Sequence, residues 1–597
     1  MTELRNAADA SDTGTSTIDA VSGGLPAIPA DWPAMSLVEA RAKLCAPGMP
    51  FEMETVTIRG VPTRVWKNAL PHLADLAALA RQHGDRTFLV YGAERVSFDA
   101  WHRAVAALAA HLAGLGVGKG DRVAIAMRNL PEWTVALFAT TVLGAIAVPL
   151  NAWWKGDELA FALSDSGAHV LIADADRWQR IVPHRAELPE LAHVLVCRAG
   201  EGATAPEGTS LLEEMIGSPD RYAALPDRAL PDAGIAPDDP ATIFYTSGTT
   251  GRPKGALGTH RNLTTNILSG GFSGAQSALR RGEMPPAPQP RTILMVIPLF
   301  HVTACSATLM GSLASGSRLV LMHKWDTVEA FRLIEREKIT TTGGVPFIAW
   351  QLIEHPERAK YDLSSLESIA YGGAPSAPEL VQAIWQTFGA LPGNGWGMTE
   401  TMATLTHHAA EDYLNRPSSC GPAVAVADIE VRAEDGVTLL PVGEVGELWA
   451  RGPMIVAGYW NRPDATAQTF VDGWVRTGDL ARIDGEGFCT IADRAKDVII
   501  RGGENIYSIE VENVLYEHPA VTDAALVGMP HRTLGEEPAA VVHLAPGTQA
   551  SEEELRAFVA ARLAAFKVPV RVVFSTETLP RNANGKILKS ELRRHFA

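Results

Sequence analysis

Tyr245-Thr246-Ser247-Gly248-Thr249-Thr250-Gly251-Arg252-Pro253-Lys254-Gly255 is the stretch whose reading decides the fold. It follows an apolar run, residues 241–244, that reads as the end of a buried strand. Glycines let the backbone turn tightly and aim several N–H groups into one concavity, a shape that suits an anion. The Ser and Thr hydroxyls add donors and Lys254 adds positive charge. A segment of this kind is built to hold phosphate. It is not the Walker A pattern, because the spacing differs and no Ser or Thr follows the lysine. A Gly/Ser/Thr loop is also an ordinary flexible connection, so the reading depends on partner segments elsewhere in the chain.

Those segments are present. Pro298-Leu299-Phe300-His301 follows the apolar run 293–297, and Tyr371-Gly372-Gly373-Ala374-Pro375 ends another, 366–370. Then come Gly395-Trp396-Gly397-Met398-Thr399-Glu400, Trp474-Val475-Arg476-Thr477-Gly478-Asp479, Asp493-Arg494-Ala495-Lys496-Asp497 and Pro580-Arg581-Asn582-Ala583-Asn584-Gly585-Lys586. Together with the opening stretch, these resemble, in order, the signatures of the adenylate-forming (AMP-binding) superfamily, on its acyl-CoA synthetase and fatty-acid or aryl-CoA ligase branch. The resemblance runs from about residue 73 to the C-terminus.

Composition sets outer bounds. A chain of 597 residues exceeds one ordinary core, so two or more domains are expected. Its 46% hydrophobic and 20% charged residues are those of a globular protein. The net charge of −16 argues against nucleic acid or an anionic membrane surface as a main partner. An acidic protein that binds ATP must focus positive charge locally, the role expected of Lys254, Arg494 and Lys586. The five cysteines are scattered, odd in number and without CxxC spacing, so neither a disulfide framework nor a zinc site is expected, and a cytoplasmic location fits. Residues 1–31 are rich in Ser, Thr, Ala and Asp, lack a secretory pattern, and read as a disordered or loosely attached extension. The apolar stretch 134–150 is short for a membrane span and reads as a buried helix followed by a strand.

Between residues 73 and 492 helical and strand patterns alternate, with helices at 73–81, 101–115 and 157–164 and strands at 122–127 and 169–173. The class is α/β: a large N-terminal domain of layered parallel or mixed sheets with helices, plus a small α+β C-terminal domain. In such folds ligands sit at the carboxyl ends of strands, where several of the motifs fall. Residues 198–209 and 273–290 read as surface loops. After 493 the pattern changes to strands at 497–500, 524–527 and 538–544 and helices at 508–516 and 551–564. The expected domains are an extension at 1–65, a large domain at 66–493, a hinge at 494–497 and a small domain at 498–597, mobile by resemblance, with Lys496 matching the family's hinge residue.

The resemblance implies two-step chemistry with ATP, Mg²⁺ and CoA. A carboxylate attacks the α-phosphate of ATP, giving an acyl-adenylate and pyrophosphate, and a thiol then takes the acyl group, releasing AMP. ATP contacts are expected from Thr246, Ser247, Gly248, Thr249, Thr250, Gly251 and Lys254, and from Gly373, Ala374 and Pro375 as a flat adenine slot. Further contacts are expected from Gly395, Trp396, Gly397, Met398 and Thr399, and from Asp479 and Arg494 at the ribose or phosphates. Trp396 stands where the family usually has tyrosine, which removes a hydroxyl. Asp493 stands where it commonly has glycine.

Glu400 is the expected Mg²⁺ ligand, since magnesium takes few protein carboxylates. Taken alone it is an acid at a helix start. Asp479 alone is a turn aspartate, and Lys586, the catalytic lysine by resemblance, is alone a solvated cation. His301 is expected to gate or orient the acyl group, although a lone histidine is commonly structural. Gly502, Gly503 and Lys567 are weaker CoA candidates. The acyl pocket is placed around His260, Gly270, Gly271, Phe272, Tyr371 and Ala403, where the glycine pair suggests room for a bulky or long acid. The reading is an AMP-forming acyl-CoA ligase for a hydrophobic carboxylic acid, long-chain or bulky aromatic. The alternatives are a ligase that loads a carrier protein, a luciferase-like oxygenase and an inactive nucleotide-binding regulator. Nothing in the sequence specifies an oligomeric state.

Overall fold

The computed structural model describes residues 32–596 except 201, 247–251, 375 and 583–584. Among these residues a two-stranded hairpin and four larger sheets carry the architecture. The first large sheet runs Gly255–Thr259, Pro240–Tyr245, Ile146–Pro149, Arg122–Ala126, Val170–Asp174, His193–Cys197 and Ser210–Leu211. All its pairings are parallel except the edge pair that carries the segment around Lys254. The second runs Thr406–Ala409, Leu391–Trp396, Ser368–Gly372, Thr341–Gly344, Thr292–Met295, Arg318–Leu321, Thr87–Tyr91 and Glu94–Ser97, parallel except at its two ends.

Helices fill the space between these two sheets. Phe98–Gly114 and Pro131–Thr141 bury Trp101, Trp133 and Phe138 together with Phe88 of the second sheet and Val123 of the first. Every residue of Pro131–Thr141 is buried, which explains a run with apolar residues on all sides and its one charge, Glu132, paired with Arg198. Gly144, at φ +69°, then turns the chain into the strand Ile146–Pro149. Among the described residues no helix is long and apolar enough to cross a membrane.

The segment from residue 32 packs against the large core. The helix Leu37–Leu44 and the hairpin Met53–Ile58/Val61–Trp66 lie on the long helix His260–Arg280. That helix corrects the expected loop at 273–290: Ser273, Ala275, Gln276, Ala278, Leu279 and Arg280 are buried helical residues, and only 281–290 is loop. Small and polar residues there look like loop in sequence. In the fold they let other elements approach, and Arg280 finds a buried partner in Asp412 at 2.8 Å.

The third sheet is antiparallel, with Gly421–Pro422, Phe488–Arg494, Trp474–Ile483, Gly446–Arg451 and Asp428–Arg432 side by side. The fourth, Glu504–Ile506, Ile499–Arg501, Gly535–Leu544 and Val521–His531 with Arg571–Ser575, packs on the helices Ser508–Tyr516 and Glu552–Ala560 around its own core.

Candidate active site

A cavity of about 710 Å³ lies between the fourth-sheet unit and the rest of the molecule. From the large side it is lined by Trp153, Trp154, Thr246, Phe300, His301, Phe347, Trp350, Gly373 and Ala374. Several of these follow strand ends: Thr246 after Pro240–Tyr245, and Gly373 and Ala374 after Ser368–Gly372. From the other side come Lys586, Lys589 and Arg593, with Asp493, Arg494 and Lys496 at the junction.

Strand pairing sets one part of the site. Asp479 faces Arg494 across Trp474–Ile483 and Phe488–Arg494, and their side chains meet at 3.3 Å. The Trp396 indole N–H donates to the other Asp479 oxygen at 2.8 Å. The missing phenol is therefore replaced by another donor, which fixes the carboxylate and the ring together. Tight backbone packing accounts for the glycines around it. A Cβ on Gly397 would lie 1.5 Å from the Ala403 carbonyl, and one on Gly395 2.8 Å from that of Thr406. Met398 donates its N–H to the Thr401 hydroxyl, and Thr399 opens the short turn that carries Glu400.

Glu400 is buried and accepts the Tyr459 hydroxyl at 2.5 Å. Burial raises its proton affinity, against the pull of the Tyr459 hydrogen bond and of the Lys586 and Lys254 cations. Tyr459 reaches this position because residues 457–460 run antiparallel beside Gly255–Thr259, with Leu257 N–H bonded to the Gly458 carbonyl at 2.9 Å and Trp460 N–H to that of Gly255 at 2.7 Å. The same pairing sets the Lys254 ammonium 4.9 Å from the Tyr459 ring centre. Tyr459 and the aromatic cavity wall are what the sequence reading missed. Glu400 and Tyr459 stand 59 positions apart, and no local spacing links them.

Lys586 arrives on a turn closed by Asn582 and Gly585. Burial, together with the Arg494 guanidinium, pulls its pKa down to about 8, while Asp479 and Glu400 oppose the change. Gly585, at φ +75°, sits so close to the large unit that a Cβ would meet Val345 at 2.5 Å. His301 is pushed down to about 4 by burial and by Lys586, so it is neutral near pH 7. Its Nδ1 accepts the Thr303 N–H at 3.3 Å, which leaves the proton on Nε2. Arg494, Lys496, Lys586 and Lys589 line this space together with the buried carboxylates Asp493 and Glu512, while Glu400, Asp479, Trp396 and Lys254 lie outside its lining. Among the described residues no group of three or more His, Cys, Asp and Glu side chains is gathered for a metal, so a divalent cation at Glu400 would take that one carboxylate and keep phosphate oxygens and water.

Other expected site residues are not gathered. Ser247, Gly248, Thr249, Thr250, Gly251 and Pro375 lie outside the described residues. The acyl-pocket expectation is corrected. His260 is fully buried away from the cavity, where its Nδ1 accepts the Leu73 N–H at 3.2 Å. Gly270 and Gly271 are exposed, and Phe272 packs on Phe51 and Trp66. Tyr371 is buried with its hydroxyl 2.7 Å from that of Tyr413, and Ala403 is buried beneath Gly397. Gly502 and Gly503 form an exposed hairpin turn, and Lys567 is paired with Glu510 at 2.6 Å. None of these three lines the cavity.

Residues 76–460 match the family described as AMP-binding enzyme, and residues 510–586 match the AMP-binding enzyme C-terminal domain. A feruloyl-CoA synthase from Amycolatopsis sp is 36% identical over 517 residues, 87% of this chain and 97% of its own. A long-chain-fatty-acid–CoA ligase of Mycobacterium tuberculosis is 36% identical over 486 residues, 81% of this chain and 90% of its own. Among solved structures, an anthranilate CoA ligase in complex with anthranoyl-AMP superposes with a TM-score of 0.79 at 25% identity, covering 88% of this chain and 97% of that one. An o-succinylbenzoate CoA synthetase from Bacillus subtilis, bound to its acyl-adenylate, gives 0.71 at 30% identity, covering 88% and 98%.

Proposed function

The chain belongs to the AMP-binding enzyme family and is an AMP-forming acyl-CoA ligase, and from that premise we propose roles for its residues and a class of acid. One observation carries the assignment of roles: Lys586, from the small unit, lines one cavity with His301 and Arg494, and the Asp479 and Glu400 carboxylates act electrostatically on it. Asp479 and Arg494 hold the ribose, and Trp396 both orients Asp479 and lies against the base. Gly373 and Ala374 offer the adenine slot, with Pro375 beside them by resemblance. Thr246 and Lys254, with the residues between them, hold phosphate.

Lys586 neutralises charge that develops on the α-phosphate as the acid carboxylate attacks. His301, neutral and carrying its proton on Nε2, donates to that carboxylate and orients it. Glu400 holds Mg²⁺, which when bound supplies positive charge to the phosphates and pyrophosphate. The thiol step then uses other groups of the small unit, Gly502, Gly503 and Lys567, after a turn at Lys496.

The acid is hydrophobic, either aromatic or long-chain. Support comes from the aromatic cavity wall of Trp153, Trp154, Phe300, Phe347 and Trp350, and from the acids named for the relatives. All five cysteines are free thiols, which fits a cytoplasmic location.

The test is pyrophosphate release with ATP and Mg²⁺ across ferulic, anthranilic and palmitic acids, with and without CoA. Acid-dependent release with a CoA thioester as product is expected. Adenylate without thioester would name a carrier protein as the acceptor, and no release with any of the acids would overturn the substrate class.

A further inference from the structure

Asp493 ends the strand Phe488–Arg494 and belongs to the third sheet, where it faces Leu480. Its carboxylate nevertheless bonds into the fourth-sheet unit. Oδ1 accepts the Arg494 N–H at 2.7 Å, while Oδ2 accepts the N–H of Ser508, the first residue of the helix Ser508–Tyr516. That helix has no side-chain cap from its own preceding residue, Tyr507. An orphan donor of a helix start is thus satisfied by a residue from another sheet. The Ser508 hydroxyl takes Lys589 Nζ at 2.5 Å, and Lys589 pairs with Glu512 at 2.7 Å. Asp493 and Ser508 are 2% and 0% exposed, and Asp493, Glu512 and Lys589 all line the cavity that receives Lys586. Lys589 stands three residues beyond Lys586, so the cation for chemistry and the cation of this cluster arrive on one segment.

We propose that Asp493 is a positioning residue: a latch between the third sheet and the small unit that holds Lys586 in the cavity during adenylate formation and releases it before thiol transfer. The proposal rests on the roles given above to Lys586 and Lys496. A turn of the small unit at 494–497 leaves Asp493 with its sheet and carries Ser508, Glu512 and Lys589 away. The contact therefore breaks in the same movement that withdraws Lys586. The latch is also poised to open. Burial pushes Asp493 up to about 6, against the Lys589 cation and with the Glu512 carboxylate adding to the rise. The closed form thus holds a desolvated charge at neutral pH, and opening returns it to water.

The test separates the half-reactions. Acid-dependent ATP–pyrophosphate exchange, run with ferulate or palmitate, reads the first step. Thioester formation from CoA and added feruloyl- or palmitoyl-adenylate reads the second. Asp493→Asn keeps the shape but turns one N–H donor against another. Ser508→Pro removes the donor from the opposite side, and proline is well tolerated at the first position of a helix. Both variants are expected to lose about tenfold or more in exchange through misplacement of Lys586, with the second half-reaction at or above the parent level and the melting temperature held. Equal losses in both half-reactions, a split in only one variant, or unchanged exchange would each overturn the latch. Lys586→Ala is measured alongside. If that variant keeps its exchange, the role of Lys586 fails; if it loses exchange while Asp493→Asn does not, the latch alone fails.

Discussion

Lys586 can act on phosphate only while it is charged, and its surroundings limit that range. Its pKa is drawn down to about 8, so the ammonium is present below that pH and is lost as pH rises through it. For the adenylate step kcat/KM reports the free enzyme, so it should fall on an alkaline limb with its midpoint near 8. Lys586→Arg should move that limb upward, because guanidinium stays charged. A flat profile to pH 9.5 would refute the assignment. Lys586→Ala should lower the step by about 10²–10³, the usual size of a lost contact to developing charge. Glu400 and Asp493, both with proton affinity raised by burial, act on the acid side. That of Glu400 is held down chiefly by the Tyr459 hydroxyl, so Tyr459→Phe lets it rise further. The acid limb should then move to higher pH, with a larger loss at pH 6 than at pH 8. An equal loss at both values would mean that the hydroxyl serves only packing.

At the scale of elements, the long helix His260–Arg280 shows where sequence reading works and where it stops. Trp66 from the hairpin is 2% exposed, donates its indole N–H to Ser269 at 3.1 Å, and packs against Phe51 and Phe272. Trp66→Ala should therefore lower the stability of the large unit by about 3–5 kcal/mol, as for other large-to-small core changes. Denaturant unfolding reads it, and a loss under about 1 kcal/mol would show the hairpin to be loosely attached. Period alone is enough for Leu73–Arg81, Phe98–Gly114 and Ser508–Tyr516, whose apolar residues recur at helical spacing. It is not enough for 273–280, where Ser, Gly, Ala and Gln carry no apolar stripe and the helix is held by a hairpin more than 200 positions away. The expected nucleotide contacts stand out in the sequence because they lie in short runs at strand ends. The acyl side does not, because Gly270 and Gly271 face outward along that helix, and a glycine pair in sequence does not say which way it points. Gly585 is the opposite case. Its turn requires positive φ and nearly touches Val345, so Gly585→Ala should impair adenylate formation without unfolding either unit.

The whole molecule raises the question of how one small unit serves two reactions. With Lys586 in the cavity, the turn at Gly502 and Gly503 is exposed and Lys567 is engaged with Glu510, so none of these residues can meet an adenylate held beside Glu400 and Asp479. If they act in the second step, the unit must turn, and the connection through residues 494–497 is where it would do so. On either side of Lys496 the backbone is anchored: Ala495 N–H binds the Gly478 carbonyl, and Asp497 N–H binds that of Arg494. Among the described residues no backbone hydrogen bond uses the Lys496 N–H, so Lys496→Pro removes no donor of the closed form while fixing φ there and restricting Ala495. Hinges absorb their change at a few such dihedrals. The variant should retain most of its ATP–pyrophosphate exchange, reduced only by loss of a cation from the cavity wall, and should lose thioester formation by about 100-fold or more, the size expected when reacting groups are kept out of position. Thioester formation at the parent rate would mean that the turn is made elsewhere, or that CoA reaches the adenylate with Lys586 still in place.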